Sequence, residues 1–357
     1  MIGRINAYRL INQHLARSKF TKPEDLVTSM VAIQAQEYAM SKWAVGLRVP
    51  GSKDQDVENA FNAGSILRTH IMRPTWHFVA KEDIRWMIQL TAPRVHQSNS
   101  FTYRQMELDT PTLVKCTRTL EKSLTGGKFL TRSALNSDLK QKGISAEGIR
   151  LSAIMMYAEL EGVICSGPRD GKQFTYALLE ERVPAIKPIS DEEALNKLTN
   201  RYFKSRGPAT LHDFATWSGL TLKQSREGIA NLGPGFSKEI IDGKDYIFET
   251  RDYELTNTDQ TSFLMPDYDE YGMSYKDRSA LMNPRNKGRT ISRENPIFNR
   301  MIVLKGRIEG TWSRSLKGNS VQVDTYPFVK LNNTETKALE NAVRRYVEFT
   351  ENLTKKK

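Results

Sequence analysis

The sequence predicts an α+β protein made of three tandem winged helix-turn-helix domains and a C-terminal small β-barrel or antiparallel sheet. Three observations predict it. Two stretches share one order of signals, in which a helical run and a glycine break precede a threonine-capped pair of helices and an Asp-Gly hairpin. These stretches, Pro111 to Glu180 and Ala194 to Glu249, repeat after roughly seventy to eighty residues, the spacing of small domains rather than of solenoid turns. Beyond Arg300 the pattern turns to β-rich runs punctuated by glycine.

The first domain, residues 1–105, follows this order most loosely. Helices are expected over Tyr8 to Leu15, from Pro23 through Met30, from Glu37 to Leu47 and from Val57 to Ala63. Leu67 to Val79 then reads as two strands turning near Arg73-Pro74, where a proline is tolerated because no ladder hydrogen bond is needed. In the second domain, residues 106–186, a helix runs to Leu124, Gly126 and Gly127 break the chain, Phe129-Leu130 is a short strand, and Thr131 caps a helix. A further helix from Ser145 shows an apolar face of Ile149, Ala153, Met156 and Leu160. The segment Gly162 to Gly167 leads through Arg169-Asp170-Gly171-Lys172 to a returning strand, Phe174 to Leu178.

The third domain, residues 187–255, has a helix over Ala194 to Phe203 and a break at Gly207-Pro208. Thr210 caps Leu211 to Trp217, and Thr221 caps Leu222 to Leu232. Strands Phe236 to Ile241 and Tyr246 to Glu249 flank Asp242-Gly243-Lys244. In the fourth, residues 256–357, Met301 to Trp312 and Ser320 to Val329 are strands, and Leu339, Val343, Tyr346 and Phe349 mark a terminal amphipathic helix. An acidic aromatic segment, Phe263 to Tyr271, and an exposed basic loop, Lys276 to Arg300, precede them.

A hydrophobic share of 39% in 357 residues supports packed cores rather than disorder. No apolar run approaches the ~20 residues of a bilayer helix. The opening Met1-Ile2-Gly3-Arg4-Ile5-Asn6 lacks the apolar core of a secretory signal, so a cytoplasmic, nucleoid-associated protein without membrane contact is expected. The two cysteines, Cys116 and Cys165, form no CxxC pair, which argues against structural zinc and against a disulfide framework. Both are expected to be buried small hydrophobes. With 53 basic against 41 acidic residues the net charge is +12, a field that favours polyanions.

Two segments carry the candidate chemistry. In Ala32-Ile33-Gln34-Ala35-Gln36-Glu37 the two amides stand two residues apart. On an α-helix they would point about 200° apart, so they share a cleft only if the backbone is extended or lies at a helix junction. The apolar stripe of Leu26, Val27, Met30 and Val31 ends just before Gln34, which permits such a junction. A carboxamide has no proton to exchange near neutral pH, yet it orients a water and places a carbonyl dipole near developing positive charge. Help of that kind suffices where the leaving group is already activated, as an alkylated cationic purine is on deoxyribose. Glu37, a rival base, reads instead as an acid favouring a helix N-terminus.

In Arg68-Thr69-His70-Ile71-Met72-Arg73-Pro74-Thr75-Trp76-His77 polar donors alternate with Met72 and Trp76 in a strand-like run. Arg68, Thr69, Arg73, Thr75 and His77 are the candidate contacts to phosphate, sugar or a displaced base. Lys172, in the second hairpin turn, and Arg278, in the basic stretch, join them. His14, His96 and His212 have no visible partners in sequence.

These two segments, Pro266-Asp267-Tyr268-Asp269 with Arg278, and Gly306 through Gly310-Thr311-Trp312, together resemble the bacterial AlkZ-like winged-helix DNA glycosylase family over nearly the whole chain. The resemblance implies three tandem winged helices and a C-terminal β-barrel around a DNA channel, and excision of N-alkylated purines or unhooking of interstrand crosslinks. It sets the family's Gln-x-Gln motif on Gln34 and Gln36, where related proteins carry aspartate at the second position. Pro74 stands where the family pattern has glycine.

The expected function is thus a monofunctional DNA glycosylase: Gln34 and Gln36 place water at the anomeric carbon, with no metal, no organic cofactor and no lysine Schiff base. The expected partner is double-stranded DNA carrying alkylated purines, bound by a monomer. The alternative is a non-catalytic winged-helix DNA-binding protein or transcription regulator, although three unequal modules suit monomeric wrapping better than the symmetric half-sites of dimers. No RNA-binding module signature is visible.

Overall fold

The computed structural model describes residues 2–251, 262–283, 286, 300–317 and 320–351. Along the chain run α1 (Ile2–Asn12), α2 (Pro23–Met30), β1 (Ala32–Gln34), α3 (Tyr38–Gly46), α4 (Asp54–Ala63), β2 (Ile66–His70), β3 (Trp76–Ala80), α5 (Ile84–Gln105), α6 (Thr110–Leu124), β4 (Leu130–Thr131), α7 (Arg132–Gln141), α8 (Gly148–Leu160), β5 (Ile164–Ser166), β6 (Thr175–Leu178) and α9 (Leu179–Arg182). There follow α10 (Asp191–Arg206), α11 (Leu211–Ser218), α12 (Leu222–Ala230), β7 (Phe236–Ile241), β8 (Lys244–Glu249), β9 (Ser262–Leu264), α13 (Glu270–Met273), β10 (Met301–Leu304), β11 (Arg307–Lys317), β12 (Ser320–Pro327) and α14 (Asn333–Thr350). The chain divides into two compact units, one of residues 1–58, 196–217 and 221–357, the other of residues 59–195 and 218–220. No described helix is long and apolar enough to cross a membrane.

In the unit of residues 59–195, helix starts follow local side-chain chemistry. Asp109 accepts from the Thr112 N–H and Thr131 from the Ala134 N–H, each satisfying a donor that the first turn leaves open. Helices α6, α7 and α8 surround a core that includes Leu113, Cys116, Leu120, Leu135, Leu139 and Ile154, beside a sheet of order β4-β6-β5. Cys116 and Cys165 are both buried, and burial pushes the Cys165 thiol up to about 12, so each behaves as the small hydrophobe the sequence predicts.

Two features of this unit differ from expectation. On α8, Ala153 and Leu160 are buried as expected, but Leu151, Ile154, Met155 and Ala158 are buried with them, while Ile149 is 64% exposed and Met156 half-buried. The helix is apolar on most sides, so its period alone does not say which side meets the core. Nor does sequence periodicity mark the 22-residue α5, which carries Pro93 in its interior. Proline removes one i→i−4 bond and usually signals a helix end, but the apolar face of Ile84, Met87, Ile88, Leu90, Thr91 and Val95 stays packed through it.

In the other unit an antiparallel sheet of order β12-β11-β10-β9 carries α14. Residues Phe263-Leu264, which in sequence belong only to an acidic aromatic segment, form β9 and pair with β10. Trp43, Trp312 and Tyr346 meet edge to face at 5.0 and 4.9 Å. Both indole N–H groups reach β-segment carbonyls, Leu264 at 2.7 Å and Met265 at 2.8 Å, so these rings bury apolar area without stranding a donor. Helix α12 starts on a capping box of Thr221 and Gln224, α14 on one of Asn332 and Glu335. Thr210 and Asp213 exchange the same reciprocal bonds at the start of α11. In the β7–β8 hairpin, Asp242 (φ 48°) and Gly243 (φ 72°) occupy the left-handed conformations that a two-residue turn demands. Of the basic stretch Lys276 to Arg300, residues 284–285 and 287–299 lie outside the described residues.

His14 gives this unit a pH dependence. Its ring lies edge-on to Phe20 at 4.7 Å, with Nε2 3.0 Å from the Ser29 hydroxyl. Burial, then the cations of Arg48, Arg251 and Arg206, lower its pKa to about 4. The unfolded chain takes up a proton near the ordinary histidine value that the folded protein refuses, so stability is lost as pH falls from ~6.5 to 4, by about 3 kcal/mol in total. Urea unfolding at pH 7 and pH 4.5 is expected to show this loss, and His14→Asn, which tolerates the residue's φ of 57°, is expected to reduce it.

Candidate active site

Gln34 ends β1, and Gln36 lies in the bend before Glu37, the residue preceding α3. The two amides thus sit at an extended junction between helices, as their spacing required. Gln34 is 5% exposed, whereas Gln36 and Glu37 are exposed.

The turn into β1 is strained. Val31 has φ 66° and ψ −58°, a conformation that a β-branched side chain resists. Such strain persists only where surrounding contacts over-determine it. Here the contacts come from Arg206, at the end of α10. Its Nη1 donates to the Met30 carbonyl at 2.7 Å and its Nη2 to the Ala32 carbonyl at 2.8 Å, so the carbonyls of both neighbours of Val31 are held by one guanidinium. Glu270 then ties this clamp to the motif. One carboxylate oxygen accepts from the Gln34 N–H at 2.9 Å. The other accepts from Arg206 Nη2 at 2.8 Å, Trp217 Nε1 at 2.9 Å and the Ser274 hydroxyl at 2.9 Å.

Arg206 and Glu270 are both fully buried. A buried ion pair survives when further hydrogen bonds satisfy its remaining donors and lone pairs, and this one has them. The preceding residue repeats the device, since buried Asp269 takes a bidentate bond from buried Arg48 at 2.7 and 2.9 Å. The acidic aromatic segment therefore anchors the motif. From sequence Asp269 has no assigned role, and Glu270, Arg206 and Arg48 go unmarked, because the partners of these groups lie 64, 236 and 221 positions away. Lys42, in the helix after the motif, donates to Asp54 at 2.6 Å and Glu58 at 2.7 Å.

The second predicted segment forms the β2–β3 hairpin, in register Thr69↔His77 and His70↔Trp76. Its turn is tight: Met72 has φ 62°, and the Arg73 N–H donates to the Ile71 carbonyl at 2.6 Å. A Cβ on Gly219 would lie 2.0 Å from the Met72 carbonyl oxygen, so this close approach requires glycine. Arg73 is half-buried, and its guanidinium donates to His77 Nε2 at 3.3 Å. His77 Nδ1–H donates in turn to the Thr75 carbonyl at 2.9 Å, which sets the tautomer.

Thr69 and His77 are both fully buried. That corrects the expectation of direct nucleic-acid contact for these two: facing inward from paired positions, His77 positions Arg73 and the turn. The Thr69 and Thr75 hydroxyls have no hydrogen-bond partner among the described residues. Arg68 is 9% exposed, with its guanidinium between the rings of Trp76 at 4.2 Å and Phe174 at 4.7 Å. The stack continues through Trp76 to His70 at 4.6 Å, and His70 Nδ1 meets Glu159 at 2.5 Å. Neither His70 nor Glu159 has a role assigned from sequence. Lys172 is exposed in its turn, and Arg278, half-buried, donates to the Gly272 carbonyl at 3.0 Å. Among the described residues no group of three or more histidine, cysteine, aspartate or glutamate side chains is placed to hold a metal ion.

Comparison with known proteins places the chain in a family and matches its fold. The family model described as DNA glycosylase AlkZ-like matches residues 27–349. An interstrand DNA cross-link repair glycosylase from Streptomyces sahachiroi is 24% identical over 328 residues, 86% of each chain. The solved structure of Streptomyces sahachiroi DNA glycosylase AlkZ is similar with a TM-score of 0.78 at 20% identity, over 97% of this chain and 96% of that one, a likeness of fold.

Proposed function

The chain belongs to the AlkZ-like DNA glycosylase family, and from that premise we propose that it hydrolyses the N-glycosidic bond of N-alkylated, cationic purines in duplex DNA. The observation that carries this reading is the strained Val31 junction, held by Arg206 and Glu270 directly beneath Gln34. Backbone strain held by buried contacts clusters at active sites, and its place beside the polar Gln34–Gln36 segment supports a preorganised site there.

In this mechanism the carbonyl oxygens of Gln34 and Gln36 accept hydrogen bonds from a water and aim its oxygen at the anomeric carbon. The C–N bond breaks with its electron pair passing to the cationic ring, which leaves neutral, while the water oxygen bonds to the sugar and its proton passes to solvent. The carboxamide dipoles face the positive charge developing on the sugar. Lys42, the lysine nearest the motif in sequence, donates to two carboxylates rather than standing as a free amine, which supports water over a Schiff base as nucleophile. Neither amide titrates, so base release is expected to stay level between about pH 6 and 9, as a pH series of single-turnover rates would show.

Arg68, Arg73, Thr75 and Lys172 of one unit, and Arg278 of the other, are proposed to engage the DNA backbone. The order α6, β4, α7, α8, β5, β6 supports a winged helix at residues 106–186, and α10, α11, α12, β7, β8 supports one at 187–255. The first module is proposed at 1–105 and the C-terminal β domain, as sheet or barrel, at 256–357. An interstrand crosslink through two purine nitrogens presents the same charged leaving group at each end, so unhooking it is the same chemistry. The enzyme is proposed to act as a monomer at the nucleoid.

The test is incubation with duplex DNA bearing an N7-alkylguanine, followed by measurement of free base and of strand scission at abasic sites. Both are expected. Binding without release of the base would overturn the reading in favour of a non-catalytic DNA-binding protein.

A further inference from the structure

The surface of the unit of residues 59–195 distributes charge in an unexpected way. In a winged helix the second helix of the helix-turn-helix pair is the one expected to meet DNA, and here that is α8. Its cation, Arg150, donates to the main-chain carbonyls of Ser145, Met106 and Glu107. Its exposed positions include Ile149 and Ser152. Helix α8 therefore offers little to a phosphate.

The cations stand elsewhere. A groove of about 940 Å³ between α6 and α7 is lined by Lys115, Arg118, Lys122, Lys128 and Lys142 against one carboxylate, Asp138. All five cations are exposed, and none makes an ion pair among the described residues. Lys115, Arg118 and Lys122 are spaced three and four residues apart, so they share one face of α6. Like charges at that spacing repel and weaken a helix unless an anion lies across them.

We propose that this groove binds the phosphate backbone of duplex DNA away from the lesion, a proposal that rests on the DNA reading above. Length is the reason for a polymer rather than a single phosphate. From Lys115 to Lys122 the helix rises about 10 Å, against one charge every ~3.4 Å along each DNA strand. The cations form a row spanning about three phosphate steps of one strand instead of converging on a point. Backbone contact of this kind carries no sequence information; it fixes register and orientation while the lesion is read elsewhere.

The test measures binding of a lesion-free duplex against salt concentration for the full chain and for the triple variant Lys115→Ala, Arg118→Ala, Lys122→Ala. The slope of log affinity on log salt is expected to become shallower by about 2.7 units, ~0.9 for each phosphate left without its cation. A control triple of exposed lysines outside the groove, Lys187→Ala, Lys330→Ala and Lys337→Ala, changes net charge equally and is expected to leave the slope within about one unit. An unchanged slope in the groove variant, or an equal change in the control, overturns the proposal. Base release from alkylated DNA by the unmodified protein is a separate readout, so failure of the groove and failure of the glycosylase reading are told apart.

Discussion

With Gln34 and Gln36 both changed to alanine, release of an N7-alkylated purine from duplex DNA is expected to slow by about 10²–10³-fold, the usual cost of removing one preorganised polar group from a transition state. The effect of two is not expected to be the product of the singles, because both amides position the same water. Gln34→Ala is expected to cost more than Gln36→Ala. Gln34 is 5% exposed, where a dipole acts with little screening, whereas Gln36 is open to solvent. Single-turnover rates with enzyme in excess isolate the chemical step from binding. Release by the double variant at the unmodified rate would remove the amide mechanism.

The largest effect on stability is expected at Glu270. Glu270→Ala leaves Arg206 fully buried without its counter-ion, a loss of about 3–5 kcal/mol, and also frees the Gln34 N–H and the Trp217 indole N–H. Urea unfolding is the measurement, and an unaltered midpoint would show that the pair does not anchor this unit. Glu270→Gln separates position from charge. It keeps the shape and one acceptor oxygen but loses the ionic half of the Arg206 contact, so it is expected to be less destabilised than Glu270→Ala. If the clamp maintains the Val31 turn, Glu270→Gln is expected to lower the rate of base release well before it unfolds the protein, because Gln34 is displaced with its backbone.

Much of the architecture was legible because its causes are local. Thr131 and Thr221 cap helices through N–H groups three residues on, and Asp242-Gly243 turns a hairpin through its own φ angles. Pro23 opens α2 for the same kind of reason. Legibility fails where local and tertiary preferences conflict. Pro93 argues for a helix end that packing overrides in α5, and the apolar residues around α8 leave its inward side undecided until α5 and α6 are in place.

The sequence by itself determined the types and order of most elements and the basic charge, and permitted a helix junction at Gln34 and Gln36, since each depends on neighbours within a few residues. Only the tertiary structure decided that Arg206 and Glu270 hold that junction in a strained turn, that Arg68 is stacked between Trp76 and Phe174, and that His77 faces inward. Charge pairs join residues as far apart in sequence as Arg48 and Asp269, and ring contacts residues as far apart as Trp43 and Tyr346. Their energy depends on distance and burial in space, and neither quantity is written in the order of residues along the chain.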